Sequence, residues 1–542
     1  MKVLGVNAVF HDPAAAIVVD GVIVAAAEEE RFSRRKHGKP CVPFSTWELP
    51  ELSARWCLEH AGVAAAELDA VAYSYDPSLA SPANGDVTHE GWEPLRTLYA
   101  ARAPQFLSTA LPGLRPEVVR FVPHHVAHAA SAAHAGPFDS CAVMVLDGRG
   151  EYASYLAARF DGERLEVVDL QPLPHSLGLF YEEATAHLGF RRSSDEYKVM
   201  ALAAYGSPRF LPELRRAVRH VGPHRFSCGP IDWSSLTEPA RGGALGSEHA
   251  DLAASVQQRL QEVLLELAED LYAETAEAQL AFAGGVALNC VANTWLHENG
   301  PFDRIWVQPA AGDAGTALGA ALHVAAELEG RPERMETAAL GRSWSDGQIR
   351  DVLRTANVPF EDVDDPAGPV AEALARNEVV AWFHGRSEFG PRALGHRSLL
   401  AHPGREENVA RLNDVKGREQ FRPVAPVVLD SRAGEIFEGG PLPSPFMLFT
   451  HTVRDEWRSR IPAVVHVDGT ARAQTVDPRS EPLLARLLER FDELTGLPVL
   501  VNTSLNTDGR PMVDDPRDAL ECFGSAPIDL LSIGRSIVRR HA

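Results

Sequence analysis

The amino-acid sequence predicts an α/β chain in two parts, an internally duplicated first domain over residues 1–340 and a second α/β domain over 350–542. Three observations predict it. A strand–turn–strand–hairpin–strand order occurs at 2–30 and again at 141–170, each copy with an Asp-Gly hairpin, Asp20-Gly21 and Asp161-Gly162. Strands alternate with helices through glycine turns over 279–329. The polar stretch 331–350 then interrupts the pattern, and strand and helix signals begin afresh beyond it.

The elements follow in order. KVLGVNA, AAAIVVD and VIVAAA are short apolar runs of strand length, and CAVMVLD, YASYLAARF and RLEVVDL repeat them. Helices are expected at 47–64 and 124–135, and apolar positions at helical spacing predict a long helix over 250–278. LAFAGGVALNCVANTWL and RIWVQPAAGDAGTALGAAL each read as strand, glycine turn and helix. In the second domain EVVAWFHG and APVVLD read as strands, and VVHVDGTARAQTV as a strand pair. Residues 481–494 read as a helix and LPVLVNTSLN as a strand ending in a polar loop, while within the Gly/Pro/Arg-rich stretch 384–425 the strings GPRALGHRS and KGREQFRPVAP read as loops.

Composition bounds the function. A chain of 542 residues that is 45% hydrophobic and 23% charged is globular and multidomain rather than disordered. With 52 Lys and Arg against 74 Asp and Glu, its net charge of -22 repels polyanions and disfavours a nucleic-acid partner. Cys41, Cys57, Cys141, Cys228, Cys290 and Cys522 form no CxxC pair, so neither a disulfide framework nor a thiolate zinc site is expected. No signal-peptide apolar segment opens the sequence and no apolar run approaches membrane-spanning length. The expectation is a soluble cytoplasmic protein without a membrane partner. Nothing indicates its oligomeric state.

Chemistry concentrates in a few strings. In HHVAH, His124 and His128 stand four residues apart, so on a helix both imidazoles share one face and can hold one cation. Asp147, closing CAVMVLD, and Asp313, inside a glycine loop, complete a nitrogen–oxygen donor set suited to Fe(II), Mn(II) or Zn(II). A surface histidine pair and a helix-capping Asp313 are the plainer alternatives. Turns at Gly148 and Gly150, at Gly284 and Gly285, and at Gly312 can present backbone N–H groups to an anion or pack against a nucleoside. Their order resembles the phosphate and adenosine motifs of the actin/sugar-kinase superfamily. Residues 381–422 carry eight Lys and Arg against five acids, an excess of positive charge in an acidic chain. With Arg472, Asn502, Ser504 and Asn506 they suggest a pocket for a small dianion. His11 in FHDPAAA, near a turn and titrating near neutrality, is a candidate general base.

Read together, FHDPAAAIVVDG, AEEERFSRRKHG, HHVAHAAS, VLDGRGE, YKVMALAAYG, AGGVALNCVAN, PAAGDAGTALGAAL, FGPRALGHRS, KGREQFRPVAP, DGTARAQTV and LVNTSLNTDGRPMV resemble the NodU/CmcH family of O-carbamoyltransferases along nearly the whole chain. The resemblance implies an actin-like, TsaD-like first domain and a YrdC-like second domain. It implies that carbamoyl phosphate and ATP, with Mg2+, give carbamoyl-adenylate in the second domain. The carbamoyl group then passes in the first domain to a hydroxyl of a small-molecule natural product of antibiotic type. By family match Arg392, Lys416, Arg418 and Arg472 stabilise phosphoryl charge, and Asn502 and Ser504 orient the carbamoyl group. His124, His128, Asp147 and Asp313 hold a divalent metal, with Fe2+ the family-based choice. Gly148, Gly150, Gly284, Gly285, Asn289 and Gly312 bind nucleotide, His11 deprotonates the acceptor, and Lys39 matches a basic loop position. In SSDEYKVMALAAYG, Asp195, Tyr197 and Ala201 stand where the family pattern has glycines, and Lys198 is retained. The alternative is a tRNA threonylcarbamoyl-type transferase, which the net charge disfavours. An actin-like kinase or a non-catalytic binding protein fits less of the chain.

Overall fold

A computed structural model of the protein describes residues 1–38, 48–80, 93–240, 245–507 and 509–540. The chain divides into two compact units, Met1–Glu336 and Thr337–Ala542.

The duplication is visible in strand order. One sheet of the first unit is built from β1 (Lys2–Asn7), β2 (Ala14–Val19), β3 (Val22–Glu28), β4 (Ala70–Tyr73) and β5 (Val119–Phe121) in the order β3-β2-β1-β4-β5. The hairpin β9 (Val218–Gly222) and β10 (Arg225–Cys228) stands apart. The other sheet contains β6 (Cys141–Leu146), β7 (Ala153–Phe160), β8 (Leu165–Pro172), β11 (Gln279–Ala283) and β12 (Arg304–Val307) in the order β12-β11-β6-β7-β8. In each, a central strand pairs antiparallel with the next strand in sequence and parallel with a later one: β1 with β2 and β4, β6 with β7 and β11. Parallel strands covered on both faces become continuous apolar runs, and every residue of CAVMVL is buried.

The helix His124–Ala133 follows β5, and the helix Ala314–Glu329 follows β12. The second packs on the first and on β1 and β2. Gly319 permits that contact: a Cβ there would lie 1.8 Å from the Ala127 carbonyl oxygen. The expected helices at 47–64 and 250–278 are Glu51–Ala61 and Ser247–Thr275.

The second unit has an eight-stranded mixed sheet, running from Glu361–Asp362 through Ser536–Arg539, Leu530–Ile533, Val380–Phe383, Arg397–Ala401, Val499–Ser504 and Ala425–Leu429 to Gln474–Val476. A three-stranded sheet joins Phe437–Glu438, His451–Val453 and Thr470–Ala471. The loop reading of GPRALGHRS is corrected at its end, where Arg397 and Ser398 open a strand, and a helix lies between the two strings. Arg397–Ala401 is a buried strand and Glu407–Val415 a helix. Arg397 enters the interior because its guanidinium donates to the carbonyls of His384, Gly385, His396 and Arg342 and stacks on Phe383. A guanidinium whose NH1 and NH2 groups meet several carbonyls can be buried where composition argues for exposure. No helix among the described residues is long and apolar enough to cross a membrane.

Candidate functional site

His124 and His128 project from one face of the helix His124–Ala133 and are buried, with no exposed surface. That removes the surface-pair alternative. Asp147 follows β6, and Asp313 precedes the helix Ala314–Glu329 without making a side-chain cap. The capping alternative for Asp313 is thereby removed too. His124 Nε2 lies 3.5 Å from Asp147 Oδ2 and 3.6 Å from Asp313 Oδ1, and His128 Nε2 lies 4.0 and 3.6 Å from the same two atoms. Ligand atoms of all four residues fall within 4.8 Å of one another.

The surroundings orient this set. Asp147 Oδ1 accepts from the Gly285 N–H at 2.9 Å, and Asp313 Oδ2 from the His11 N–H at 3.0 Å. Each carboxylate thus presents its other oxygen to the histidines. His124 Nδ1 meets the Ser74 carbonyl at 3.3 Å; a carbonyl only accepts, so Nδ1 carries the proton and Nε2 the lone pair. Glu151 Oε1 accepts from the backbone N–H of His124 and of Asp76, each at 2.8 Å, and so holds the start of the helix. Burial disfavours a charged His124, but the facing carboxylates of Asp147 and Asp313 outweigh it and raise its pKa well above the usual value. Burial likewise opposes ionisation of Asp147 and Asp313, and Asp313 also feels Asp147, yet the imidazoles bring both below the usual carboxylate range. Nε2 of both histidines is buried without a hydrogen-bond partner among the described residues. Two imidazole nitrogens and two carboxylate oxygens converge there at metal-ligand spacing, so these residues fit a divalent metal.

The glycine turns surround this cluster. Gly150 packs on His125, where a Cβ would lie 2.6 Å from Nδ1. The Gly148 carbonyl accepts from Ser176 Oγ, and Gly284 N donates to Ala311 O. Gly312 is half-buried, and its carbonyl accepts from Gly315 N. Asn289 caps the helix Cys290–Asn299 through Ala292 N and exchanges hydrogen bonds with Gln257. His11 lies on the β1–β2 turn, its Nδ1 2.9 Å from Asp12 Oδ2. Lys39 lies outside the described residues.

In the second unit Lys416 is buried, and its ammonium donates to Ser504 O at 2.6 Å, to Ser504 Oγ at 2.8 Å and to Asn506 Oδ1. Asn502 Nδ2 donates to Gln474 Oε1 at 2.7 Å and to Ala393 O at 3.2 Å. It ties together the loops that carry Arg472 and Arg392. Arg418 Nε bonds Asn413 Oδ1. Arg472 Nε and Asn502 Oδ1 are buried without a hydrogen-bond partner among the described residues, a donor and an acceptor in want of a ligand. Gln474 was not recognisable from sequence, and neither were Glu151 or Ser74. Glu151 directly follows the DGRG turn, the one local signal for it.

The first unit thus holds a buried nitrogen–oxygen donor cluster, and the second holds a buried lysine and buried unpartnered atoms of Arg472 and Asn502. Residues 2–82 and 113–322 match the family described as carbamoyltransferase N-terminus, and 371–540 the one described as carbamoyltransferase C-terminus. An uncharacterized protein of Synechocystis sp. is 36% identical over 100% of this chain and 97% of its own. Nodulation protein NolNO of Sinorhizobium fredii is 37% identical over 98% of this chain and 80% of its own. A solved structure of full-length HypF in the phosphate- and nucleotide-bound form is similar over 61% of this chain and 56% of its own, at 14% identity and a TM-score of 0.38. The chain belongs to the carbamoyltransferase family and is a transferase enzyme.

Proposed function

We propose that the protein is an ATP-dependent O-carbamoyltransferase acting on a hydroxyl of a small-molecule natural product of antibiotic type. The observation that carries this reading is the convergence of His124, His128, Asp147 and Asp313, from helix and strand ends far apart in sequence, on one buried point of a carbamoyltransferase-family chain. The first unit is read as TsaD-like, of actin-like fold, and the second as YrdC-like.

In the second unit one water hydrolyses carbamoyl phosphate to phosphate and carbamate, and a carbamate oxygen then attacks the α-phosphorus of ATP, giving carbamoyl-adenylate as pyrophosphate leaves. Carbamate decomposes in bulk water, so the step requires a pocket that admits the one hydrolytic water and excludes the rest. Arg392, Lys416, Arg418 and Arg472 offset phosphoryl charge. The inward Nε of Arg472 donates to an anion, and the acceptor atom Asn502 Oδ1 orients the carbamoyl NH2, assisted by Ser504. Buried Lys416, held by Ser504 and Asn506, is fixed in place before substrate arrives.

Transfer takes place in the first unit. Gly148, Gly150, Gly284, Gly285, Asn289 and Gly312 line the nucleotide site, and Lys39 contributes to substrate binding. His124, His128, Asp147 and Asp313 hold a divalent metal, Fe2+ by family preference, which supplies Lewis acidity when bound. His11 takes the proton of the acceptor hydroxyl, whose own pKa lies far above neutrality. The new C–O bond forms as AMP departs.

Given carbamoyl phosphate and ATP with Mg2+, the enzyme is expected to release AMP, pyrophosphate and phosphate. ADP as the nucleotide product would overturn the reading. Screening hydroxylated natural products for a mass gain of one carbamoyl group identifies the acceptor.

A further inference from the structure

The turn between β1 and β2 is held in an unfavourable conformation. Phe10 and Asp12 adopt φ of 67° and 44°, left-handed values that cost a non-glycine residue of order 1 kcal/mol or more each. Asn7, fully buried, donates its side-chain amide to the carbonyls of His11 and Asp12 at 2.8 and 2.9 Å, and the His11 N–H is anchored on Asp313. What the turn achieves is the position of the Asp12 carboxylate. Its Oδ2 lies 2.9 Å from His11 Nδ1 and its Oδ1 2.8 Å from His37 Nδ1, while His37 Nε2 lies 3.0 Å from Ser194 Oγ. The two rings are 4.3 Å apart. His37 is itself set by a tight turn, with φ of 59° and its N–H on Glu30 Oε2 at 2.7 Å.

Proton positions follow from chemistry. A carboxylate only accepts, so Nδ1 of both imidazoles carries hydrogen. Nε2 of neutral His37 then accepts from the Ser194 hydroxyl, and Nε2 of His11 carries a lone pair. Donation converges on the carboxylate: Ser194 to His37 to Asp12 from one side, and His11 to Asp12 from the other. His11, Asp12 and His37 also form a cluster that could hold a cation. But both carboxylate oxygens of Asp12 already accept from imidazole N–H groups, which favours the hydrogen-bonded chain.

We infer that Asp12, His37 and Ser194 form a positioning relay that fixes His11 in the tautomer and orientation of a general base for the acceptor hydroxyl. The inference rests on the reading of His11 given above. In the transfer step the acceptor O–H proton moves to His11 Nε2, and the acceptor oxygen bonds the carbamoyl carbon. The bond from that carbon to the adenylate oxygen breaks, and AMP leaves. Asp12 stabilises the imidazolium without taking its proton and then lets it return to solvent. Ser194 lies in SSDEYK, where this chain departs from the family pattern, so the far end of the relay sits in its own variant segment.

Asp12→Gly and Asp12→Asn test this. Glycine and asparagine both tolerate a φ of 44°, so neither variant carries a new backbone penalty. Asp12→Asn keeps the shape and is expected to lower kcat for transfer at least about 100-fold, with KM for the acceptor within about threefold of the parent. In Asp12→Gly, formate is expected to restore kcat at least about tenfold and saturably, while chloride at the same ionic strength does not. Ser194→Ala should lose about three- to tenfold. Titration with Co2+ should give one tight ion per chain in both parent and Asp12→Gly. The relay is overturned if Asp12→Asn retains kcat within about threefold, if formate gives no rescue, or if the parent binds a second ion that Asp12→Gly loses. His11→Ala separates the two levels. Undiminished transfer in that variant overturns the assignment of His11 itself, whereas an inactive His11→Ala beside an active Asp12→Asn overturns only the relay.

Discussion

Glu151 gives a direct measure of how the candidate metal cluster is built. Its Oε1 accepts from the buried N–H of His124 and the partly buried N–H of Asp76, and the side chain is 8% exposed. Burial raises its pKa, an effect the hydrogen bonds and His124 only partly offset. Glu151→Ala strands the His124 donor, at about 1–3 kcal/mol, and weakens the Asp76 donor by about 1 kcal/mol, while relieving the desolvation of the carboxyl. The net expectation is a loss of about 2 kcal/mol. Glu151→Gln keeps an acceptor oxygen in place and should cost under about 1 kcal/mol. Because His124 moves with the helix start, Glu151→Ala should also weaken Co2+ binding about tenfold or more. Urea denaturation at neutral pH and a Co2+ absorbance titration read the two effects. Equal losses in the two variants, or an alanine variant with unchanged stability and affinity, would refute this account of the helix start.

Two further outcomes are expected. Burial and, second, the neighbouring Glu182 raise Glu196 from 4.5 to about 7. A raised carboxyl pKa means that the folded state loses stability as pH climbs from 4.5 through 7, by about 3 kcal/mol in full. Glu196→Gln should therefore stabilise the protein at pH 8 and be neutral near pH 4.5, as read by denaturant midpoints at the two values. Gly319→Ala places a methyl 1.8 Å from the Ala127 carbonyl and 2.7 Å from Ser131 N. It should cost about 1–3 kcal/mol and reduce metal retention, because it pushes the helix of His124 and His128 away from that of Asp313.

Much of this was legible in the sequence, for identifiable reasons. Alternating apolar runs closed by Asp20-Gly21 and Asp161-Gly162 are local signals, and they correctly marked two copies of one strand order. His124 and His128 were legible because helical spacing alone puts them on one face. The residues that orient them were not. Glu151 reaches His124 across 27 positions and Gly285 reaches Asp147 across 138, and no local rule reports such contacts. Arg397 and Ser398 were read as loop because Gly, Pro and Arg dominate GPRALGHRS, whereas tertiary carbonyls make burial of Arg397 tolerable. Asp12 stood beside His11 in the string, but its role depends on a left-handed turn and on His37 across 25 positions.

The central claim is that activation and transfer use different residues in different units. Pyrophosphate release and carbamoyl transfer, followed in one time course for His124→Ala and Lys416→Ala, test it most directly. The account predicts that His124→Ala releases pyrophosphate from ATP and carbamoyl phosphate but forms no carbamoylated product, and that Lys416→Ala releases at least about 100-fold less pyrophosphate. Failure of both variants at the same step would contradict it.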